Sequence, residues 1–284
     1  MYMLTKKILI NIWNRHGFRA KKRLGQNFLI DRNIRDKIIR LVDPGPGDDI
    51  LEIGPGFGEL TIILAEMARK VVACEKDRKI TRILREDILA GVENVEIVDK
   101  DILCYDSQDG FDKIVGNLPY YITTPIIEKY LTCGCHAPMF FMVQREYGAR
   151  LTASAGDKDY SSLSCFAGFY SNVTKLLLVK KGCFFPEPKV DSIFIRIDIT
   201  ETPKVSVRDK DLFFRIVRGA FGQRRKTIVS SLYGQGIVKM SKAELITAIE
   251  RIGLGSKRRP EELSIHNFAE LANILAERED KGGR

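Results

Sequence analysis

The chain has 284 residues, of which 44% are hydrophobic and 29% are charged, enough apolar material for one main domain with a small companion. No run of about 18 apolar residues is present, which argues against a membrane-spanning helix. The apolar stretch at residues 8–13 is interrupted by Asn11 and lacks a small-residue cleavage site, so we predict no signal peptide.

The net charge of +9 is concentrated at the two ends of the chain. Residues 1–30 hold seven Lys or Arg and no Asp or Glu, and residues 204–284 hold 17 basic against 10 acidic side chains. The middle, residues 31–203, holds 22 basic and 27 acidic side chains. Basic ends around a slightly acidic body indicate a polyanion as partner, with solubility alone as the other interpretation.

Short apolar runs alternate with helical patterns from about residue 48, which predicts an α/β fold with a mostly parallel sheet. The predicted strands are residues 49–53, 70–75, 95–98, 113–116 and 138–143. The predicted helices are residues 58–68, 78–89 and 124–131. Ligands of such sheets bind at the carboxyl ends of the strands, beside the point where the strand order reverses. The residues after each strand are therefore the candidate site.

The carboxy-terminal part of the chain has a different pattern. Two β-rich runs, residues 173–179 and 192–199, are joined by a loop too short for a crossover helix, so we predict an antiparallel pair. Pro203 marks a linker to a basic, all-helical domain. The predicted helices of that domain are residues 209–221, 241–252 and 260–277, the last with proline at its first position.

The first predicted strand runs into Gly54, Gly56 and Gly58. Glycines between a strand and a helix let the backbone pass close to a bound small molecule. The G-x-G-x-G spacing differs from the G-x-G-x-x-G of dinucleotide-binding proteins, and no Lys-Ser or Lys-Thr follows as in a phosphate-binding loop. The pattern favours a loop packed against the uncharged part of a nucleoside, with a tight structural turn as the alternative.

Acidic residues follow the next two predicted strands. Glu75 ends the second strand, 21 residues after Gly54, where a carboxylate can accept hydrogen bonds from both hydroxyls of a ribose. Asp101 follows the third strand, and its carboxylate is suited to accept from the exocyclic amine of an adenine.

The fourth predicted strand runs into Asn117-Leu-Pro-Tyr120. An adenine amine is a poor nucleophile because its lone pair is delocalised into the ring. Hydrogen-bond acceptors, here the Asn117 amide oxygen and a nearby backbone carbonyl, would favour the geometry that frees the lone pair. Tyr120 is suited to stack on a base flipped out of its helix. The alternative is a plain turn with a buried tyrosine.

In this order, these motifs resemble those of the ribosomal RNA adenine N6-dimethyltransferase family, and within it the bacterial enzymes that act on the small subunit. The resemblance runs from residue 17 to residue 275. Besides the motifs described above, it includes the segments at residues 21–31, 184–192 and 221–227.

The resemblance implies a Rossmann-like S-adenosylmethionine-dependent methyltransferase domain over residues 1–203 and an RNA-binding helical domain over residues 204–284. The implied reaction is dimethylation of the N6 amines of two adjacent adenosines near the 3′ end of small-subunit (16S) ribosomal RNA during ribosome biogenesis. S-adenosylhomocysteine is the product, and no metal is required. We interpret residues 1–30 as an arm that contacts RNA rather than an organelle-targeting peptide.

The family's site residues carry over to matching positions of this sequence. The residues expected to bind the donor are Gln26, Asn27, Leu29, Gly54, Gly56, Glu75, Lys76, Asp101, Ile102 and Asn117. The residues expected to hold the target adenine are Asn117, Leu118, Pro119, Tyr120 and Phe184. The residues expected to contact RNA are Lys21, Lys22, Arg23, Arg224, Arg225 and Lys226. Tyr120 and Phe184 are expected to enclose the target base between them.

Two departures from the family pattern concern the site. Tyr121 stands where many relatives have Asn, so either Tyr120 or Tyr121 is a candidate for stacking on the base. Ile102 stands where a smaller residue is common, which alters the fit around the donor's adenine.

Other hypotheses remain open at this point. A non-catalytic RNA- or DNA-binding assembly or transcription factor on the same fold has no need of Glu75, Asp101 and Asn117 together. A large-subunit ribosomal RNA adenine methylase shares the chemistry, but the basic cluster at residues 224–226 favours the small subunit. A nicotinamide-dependent dehydrogenase is disfavoured by the glycine spacing.

Six scattered cysteines without a C-x-x-C pair are typical of a reduced, cytoplasmic protein. Cys133 and Cys135, with His136, are weak evidence for a metal, and we expect none. The expected partner is small-subunit ribosomal RNA or a precursor of the small ribosomal subunit. We expect a monomer with no membrane partner.

Overall fold

A computed structural model describes residues 4–21, 24–106, 110–223, 225–238 and 240–282. The chain divides into two compact units. The first unit holds the residues up to Gly148 together with Val173–Ile199, and the second holds Ala149–Asn172 and the residues from Thr200 onward. Within the described ranges, no helix is long and apolar enough to cross a membrane.

Strands of the first unit form one large sheet and one very small sheet. In chain order the strands are β1 (Phe28–Leu29), β2 (Asp49–Ile53), β3 (Lys70–Glu75), β4 (Val95–Asp99), β5 (Lys113–Asn117), β6 (Met139–Gln144), β7 (Ser171–Val179), β8 (Phe184–Phe185) and β9 (Ser192–Ile199). The large sheet has the order β4-β3-β2-β5-β6-β9-β7. The pairs among β2 to β6 are parallel and β6 pairs with β9 antiparallel, so the prediction of an α/β fold with a mostly parallel sheet is confirmed.

The strand order reverses beside β2. The chain proceeds from β2 to β3 and β4 on one side and then returns to β5 on the other side of β2. Residues of β2 such as Ile50 and Leu51 are fully buried, as expected of a central parallel strand covered on both faces. The carboxyl ends of β2 and β5 are thus the place where this fold holds ligands.

The small sheet consists of β1 and β8, paired antiparallel. Leu29 lies opposite Phe184, and Phe28 lies opposite Phe185. Strands of two residues have no periodicity, so the sequence pattern does not predict them. The pairing joins two segments that carry the family resemblance, residues 21–31 and 184–192.

Thr5, Asp31 and Asp77 cap the starts of three helices of the first unit through their side chains. The helices of this unit are α1 (Lys6–His16), α2 (Arg32–Val42), α3 (Thr61–Met67), α4 (Arg78–Ile83), α5 (Thr123–Thr132) and α6 (Arg145–Leu151), which runs across the unit boundary. Asp31 accepts a hydrogen bond from the Ile34 N–H at 3.1 Å, which caps α2. The helix predicted over residues 58–68 begins only at Thr61 because Gly58 has a φ of 76°.

Helix α1 is absent from the sequence-based prediction. Leu9 and Ile12 are buried on its inner face, and the Trp13 ring lies 5.4 Å from that of Phe18. Asn11, which interrupts the apolar run in the sequence, is exposed on the opposite face. The 11 residues of α1, within the basic segment at residues 1–30, are therefore packed into the first unit, with their polar side chains outward as the helical spacing dictates.

The second unit is helical. Its helices are α7 (Ser162–Tyr170), α8 (Lys210–Gly222), α9 (Ile228–Gly234), α10 (Lys242–Arg251) and α11 (Ile265–Gly282). Phe213, Leu245 and Phe268 are fully buried in its core. Pro260 begins a separate 3-10 turn, and α11 starts at Ile265, so the helix predicted from residue 260 begins five residues later.

The boundary between the units differs from the one at residue 203. Residues 149–172 belong to the helical unit, although the sequence pattern places them in the first domain. The reason is packing, because Cys165 and Phe169 of α7 are buried in the helical core and the Phe169 ring lies 5.3 Å from that of Phe213.

Candidate active site

One large pocket opens at the carboxyl ends of β2, β3 and β5. It is lined by every residue expected to bind the donor or to hold the target adenine: Gln26, Asn27, Leu29, Gly54, Gly56, Glu75, Lys76, Asp101, Ile102, Asn117, Leu118, Pro119, Tyr120 and Phe184. They come from separate stretches of the chain, and the strand topology brings them together. The hydrogen bonds, ion pairs and burial of these residues indicate which groups of a ligand each can bind.

The glycine loop needs its glycines for two reasons. Gly54, Gly56 and Gly58 have φ values of 69°, 56° and 76°, which side chains other than glycine rarely adopt. A Cβ atom on Gly56 would also lie 2.9 Å from the Phe28 ring. The loop is therefore both a tight turn and a place where backbone, free of side chains, forms the pocket wall.

Glu75 lies at the end of β3, as its strand-end position predicts. Its Oε1 accepts a hydrogen bond of 2.8 Å from the Asp77 N–H, which fixes the carboxyl group at the pocket wall. Burial raises the pKa of Glu75 to about 7. A carboxyl in this position can accept hydrogen bonds from a ligand's hydroxyl groups.

Lys76 and Asp101 form an ion pair with a distance of 2.6 Å between Nζ and Oδ2. The other oxygen of Asp101 accepts from the Leu103 N–H at 3.1 Å. Burial alone would raise the pKa of Asp101, but the hydrogen bonds from Lys76 and Leu103 hold it below its usual value. Asp101 is therefore an ionised acceptor that Lys76 orients.

The turn after β5 carries the residues expected to act on the target amine. The Asn117 amide nitrogen donates to the Asn27 carbonyl oxygen at 3.0 Å, so the amide oxygen is left as the group that can accept. The Leu118 N–H donates to the Met142 carbonyl at 3.1 Å, which ties the turn to β6.

The two adjacent tyrosines have different surroundings. Tyr120 is half-buried, and its hydroxyl lies 2.8 Å from the Ser192 hydroxyl, which fixes the ring. Burial raises the pKa of Tyr120. Tyr121 is 50% exposed. Phe184 is buried at the other side, where its backbone pairs with Leu29.

Gln26 and Lys21 are held by a buried carboxylate. The Gln26 amide nitrogen donates to Asp77 at 2.9 Å, and its amide oxygen accepts from the Lys21 N–H at 2.8 Å. The Lys21 ammonium lies 2.9 Å from Asp77, whose side chain is 1% exposed. Both side chains thus fix the course of the segment that forms one pocket wall.

Of the remaining residues expected to contact RNA, the structure describes two. Arg225 and Lys226 are exposed immediately before α9. Lys22, Arg23 and Arg224 lie outside the described residues.

A second basic run, residues 257–259, lies beside Arg225 and Lys226 and was not singled out in the sequence. The Ile228 N–H donates to the Arg258 carbonyl at 2.8 Å, which brings the two runs together. Lys257, Arg258 and Arg259 are exposed, and Arg258 pairs with Glu262 at 2.6 Å. The feature of the sequence that could have located this run is its three consecutive basic residues.

Two buried carboxyls of the pocket were also missed. Glu52 is 2% exposed, and its Oε2 atom has no hydrogen-bond partner within the part of the chain that the structure describes. Burial raises the pKa of Glu52 to about 7. Glu59 pairs with the buried Arg35 at 3.1 Å and accepts from the Leu4 N–H at 3.0 Å. An acidic residue inside an otherwise apolar strand was the signal for Glu52.

Comparison with known proteins extends the sequence motifs to nearly the whole chain. A family model described as ribosomal RNA adenine dimethylase matches residues 17–277. The ribosomal RNA small subunit methyltransferase A of Alkaliphilus oremlandii is 41% identical over 283 residues, which cover 96% of this chain and 96% of that protein. The corresponding protein of Clostridioides difficile is also 41% identical, over 95% of this chain and 94% of its own length.

Two solved structures are similar over most of the chain. A dimethyladenosine transferase from Plasmodium falciparum aligns with a TM-score of 0.73 and 27% identity, covering 90% of this chain and 98% of that one. The 23S rRNA methyltransferase ErmE aligns with a TM-score of 0.69 and 27% identity, covering 88% of this chain and 100% of its own.

Proposed function

Because the chain belongs to the ribosomal RNA adenine dimethylase family, we propose that it dimethylates the N6 amines of two adjacent adenosines near the 3′ end of small-subunit ribosomal RNA. S-adenosylmethionine is the donor and S-adenosylhomocysteine the product. The observation that supports this most directly is the Asn117 amide, which is held by its nitrogen and offers its oxygen at the wall of the pocket.

The pocket residues fit this donor. Glu75 would accept from the ribose hydroxyls, and Asp101, oriented by Lys76, would accept from the adenine amine. The buried Glu52 Oε2 has no hydrogen-bond partner among the described residues, and the ammonium group in the methionine part of the donor would pair with it. Gly54 and Gly56 would pass beside the donor without side-chain interference, while Gln26 and Asn27 hold the opposite wall.

The chain's part in the reaction is chiefly to position the target amine. Asn117 Oδ1 and the Leu118 carbonyl would accept the two amine protons, which favours the geometry in which the nitrogen lone pair is free. Tyr120, fixed by Ser192, and Phe184 would enclose the base. The sulfonium methyl group is already activated, so positioning contributes more than a strong base would.

The RNA is held through phosphate charges. Arg225 and Lys226, together with Lys257 and Arg259 beside them, would contact phosphates of the small-subunit RNA or of a precursor particle. We propose that Arg224, Lys22 and Arg23, which lie outside the described residues, also contact the RNA. We propose that the protein acts as a monomer in the cytoplasm.

The test is to incubate the purified protein with isotope-labelled S-adenosylmethionine and small ribosomal subunits that lack the modification. Nucleosides from the digested RNA are then identified by mass spectrometry. The expected product is N6,N6-dimethyladenosine in small-subunit RNA only. The same product in large-subunit RNA alone would assign the chain to the reaction of the ErmE type, and subunit binding without any product would assign it a non-catalytic role.

A further inference from the structure

The loop after β4 forms the part of the donor pocket around Asp101 and Ile102. The loop turns tightly, since the Cys104 N–H donates to the Asp101 carbonyl at 2.8 Å and the Tyr105 N–H donates to the Ile102 carbonyl at 3.3 Å. Ile102 is 4% exposed, so this residue is anchored, whereas Leu103 and Cys104 are exposed and Tyr105 is half-buried. Hydrogen bonds from outside the turn to its carbonyl groups would further fix the shape of such a loop.

Lys129, in the last turn of α5, holds those carbonyl groups. Its Nζ lies 2.7 Å from the Ile102 carbonyl oxygen and 3.5 Å from that of Leu103, and it also donates to the Tyr105 carbonyl. An ammonium has three donors and no acceptor, so a ring of three carbonyl oxygens satisfies it fully. The half-buried position strengthens these charge-assisted hydrogen bonds.

Helix α5 is itself a rigid support. Ile126, Ile127 and Tyr130 are fully buried beneath it. At its start the Thr123 hydroxyl donates to the Pro119 carbonyl at 3.2 Å, and Pro119 belongs to the turn that carries Asn117. Lys129 therefore connects the element that follows the adenine-binding turn with the loop that carries the donor-binding Asp101.

We propose that Lys129 is a positioning residue that sets the donor affinity by fixing the loop at residues 101–105 against α5. The inference rests on the proposed function only in assuming that the pocket binds S-adenosylmethionine. Lys129 touches the loop and is not among the residues that line the pocket, so its loss acts through the placement of Asp101 and Ile102. Donor binding is then weakened before the methyl-transfer step is affected.

A matched control distinguishes this role from a general contribution to stability. Lys113 is also half-buried, and its ammonium lies 2.7 Å from the Asp43 carbonyl and pairs with Asp48. It stands at the first residue of β5, at the end of the strand opposite to Asn117. Lys113→Met removes comparable hydrogen bonds away from the pocket.

The experiment compares Lys129→Met, Lys129→Arg and Lys113→Met with the parent protein. Dissociation constants for S-adenosylmethionine and S-adenosylhomocysteine are measured by titration calorimetry, thermal midpoints by circular dichroism, and KM and kcat for methylation of small subunits. For Lys129→Met we expect both dissociation constants and the donor KM to rise about tenfold, with kcat at saturating donor nearly unchanged. Lys129→Arg should restore most of the affinity, because a guanidinium can still donate to the carbonyls.

For Lys113→Met we expect a lower thermal midpoint with unchanged donor binding. Equal donor affinity in Lys129→Met and the parent would overturn the proposal, as would an equal loss in both methionine variants. Donor binding is measured without RNA, so a parent protein that binds the donor but methylates no adenosine would overturn the proposed function and leave the role of Lys129 standing. A parent that binds no donor would overturn both.

Discussion

The amide nitrogen and the amide oxygen of Asn117 have different proposed roles, and a single substitution tests them. The nitrogen end holds the amide against the Asn27 carbonyl, and the oxygen end is the proposed acceptor for the target amine. Asn117→Ala is expected to lower kcat by about 10²–10³-fold, the usual effect of losing one positioned hydrogen-bonding group at a reacting centre. Donor binding, measured by calorimetry, should change little. Loss of both properties would instead indicate that Asn117 holds the pocket together.

Glu52 predicts a pH dependence of stability. Its pKa rises from an ordinary 4.5 to about 7 on folding because the carboxyl is buried, so the folded state binds the proton more tightly. The contribution of Glu52 to stability is therefore fully present below the unfolded pKa and is lost as the pH rises through about 7. Glu59 and Glu75 have raised pKa values for the same reason and act in the same direction.

Glu52→Gln replaces one of these three titratable carboxyls with an amide that does not ionise. The free energy of unfolding of the variant should fall less than that of the parent between about pH 5 and pH 8, by about 2 kcal/mol. Urea denaturation at a series of pH values measures it, with Glu66→Gln, an exposed carboxyl change on α3, as control. Parallel stability curves for Glu52→Gln and the parent would contradict the assignment.

At the scale of residues, the sequence predicts the position of a site residue best where that residue lies at the end of a strand or directly after it. Gly54, Glu75, Asp101 and Asn117 lie together because parallel strands end at one edge, and alternation of apolar runs locates those ends. Contacts such as that of Lys129 with the Ile102 carbonyl were not predictable, because they depend on how α5 packs and involve backbone atoms that have no sequence signature.

At the scale of elements, α1 changes the interpretation of the amino-terminal segment. A basic arm free in solution would tolerate truncated apolar side chains, whereas Leu9 is fully buried. Leu9→Ala is expected to lower the free energy of unfolding by about 2–4 kcal/mol, from lost burial and the cavity left behind. Asn11→Ala, on the exposed face of the same helix, should cost nothing. Denaturant unfolding followed by circular dichroism checks both, and equal stabilities would mean that α1 unfolds independently.

The strands and helices also show which secondary structure the sequence pattern predicts and which it does not. The strands β2, β3 and β5 are short, mostly apolar runs between turn residues, and the sequence pattern predicts their bounds to within a residue. Helix α1 was missed because Asn11 breaks the run when it is read as a linear stretch, although not when it is read with a helical period. The β1–β8 pair was missed because its partners are far apart in sequence and two residues long.

At the scale of the whole molecule, charge should govern RNA binding. Arg225→Ala with Lys226→Ala, and separately Lys257→Ala with Arg259→Ala, should each weaken binding to small subunits. The slope of log affinity against log salt should fall by about 0.9 for each phosphate contact removed. Lys242→Ala with Arg251→Ala, exposed on α10 of the same unit, is the control.

Filter binding at a series of salt concentrations measures these slopes. If Lys257→Ala with Arg259→Ala leaves affinity and slope unchanged while Arg225→Ala with Lys226→Ala reduces them, the RNA-binding surface does not extend from Lys226 to residues 257–259. The net charge and its distribution along the chain predicted such a surface. The adjacency of residues 225–226 and 257–259 was not predictable, since it arises from the packing of the helical unit.

The hydrogen bond between Asn117 and residue 27 has a consequence for how variation in this chain is read. The acceptor is a main-chain oxygen, which every amino acid supplies, so exchanging the side chain at position 27 leaves that atom in place. Mutational scanning at position 27 therefore reports on the Asn27 side chain, which lines the pocket, and not on the carbonyl that holds the Asn117 amide. The dependence on the carbonyl becomes visible only when the course of the main chain is altered, for example by inserting one residue between Gly25 and Phe28. Substitution and insertion therefore test two different parts of the same residue.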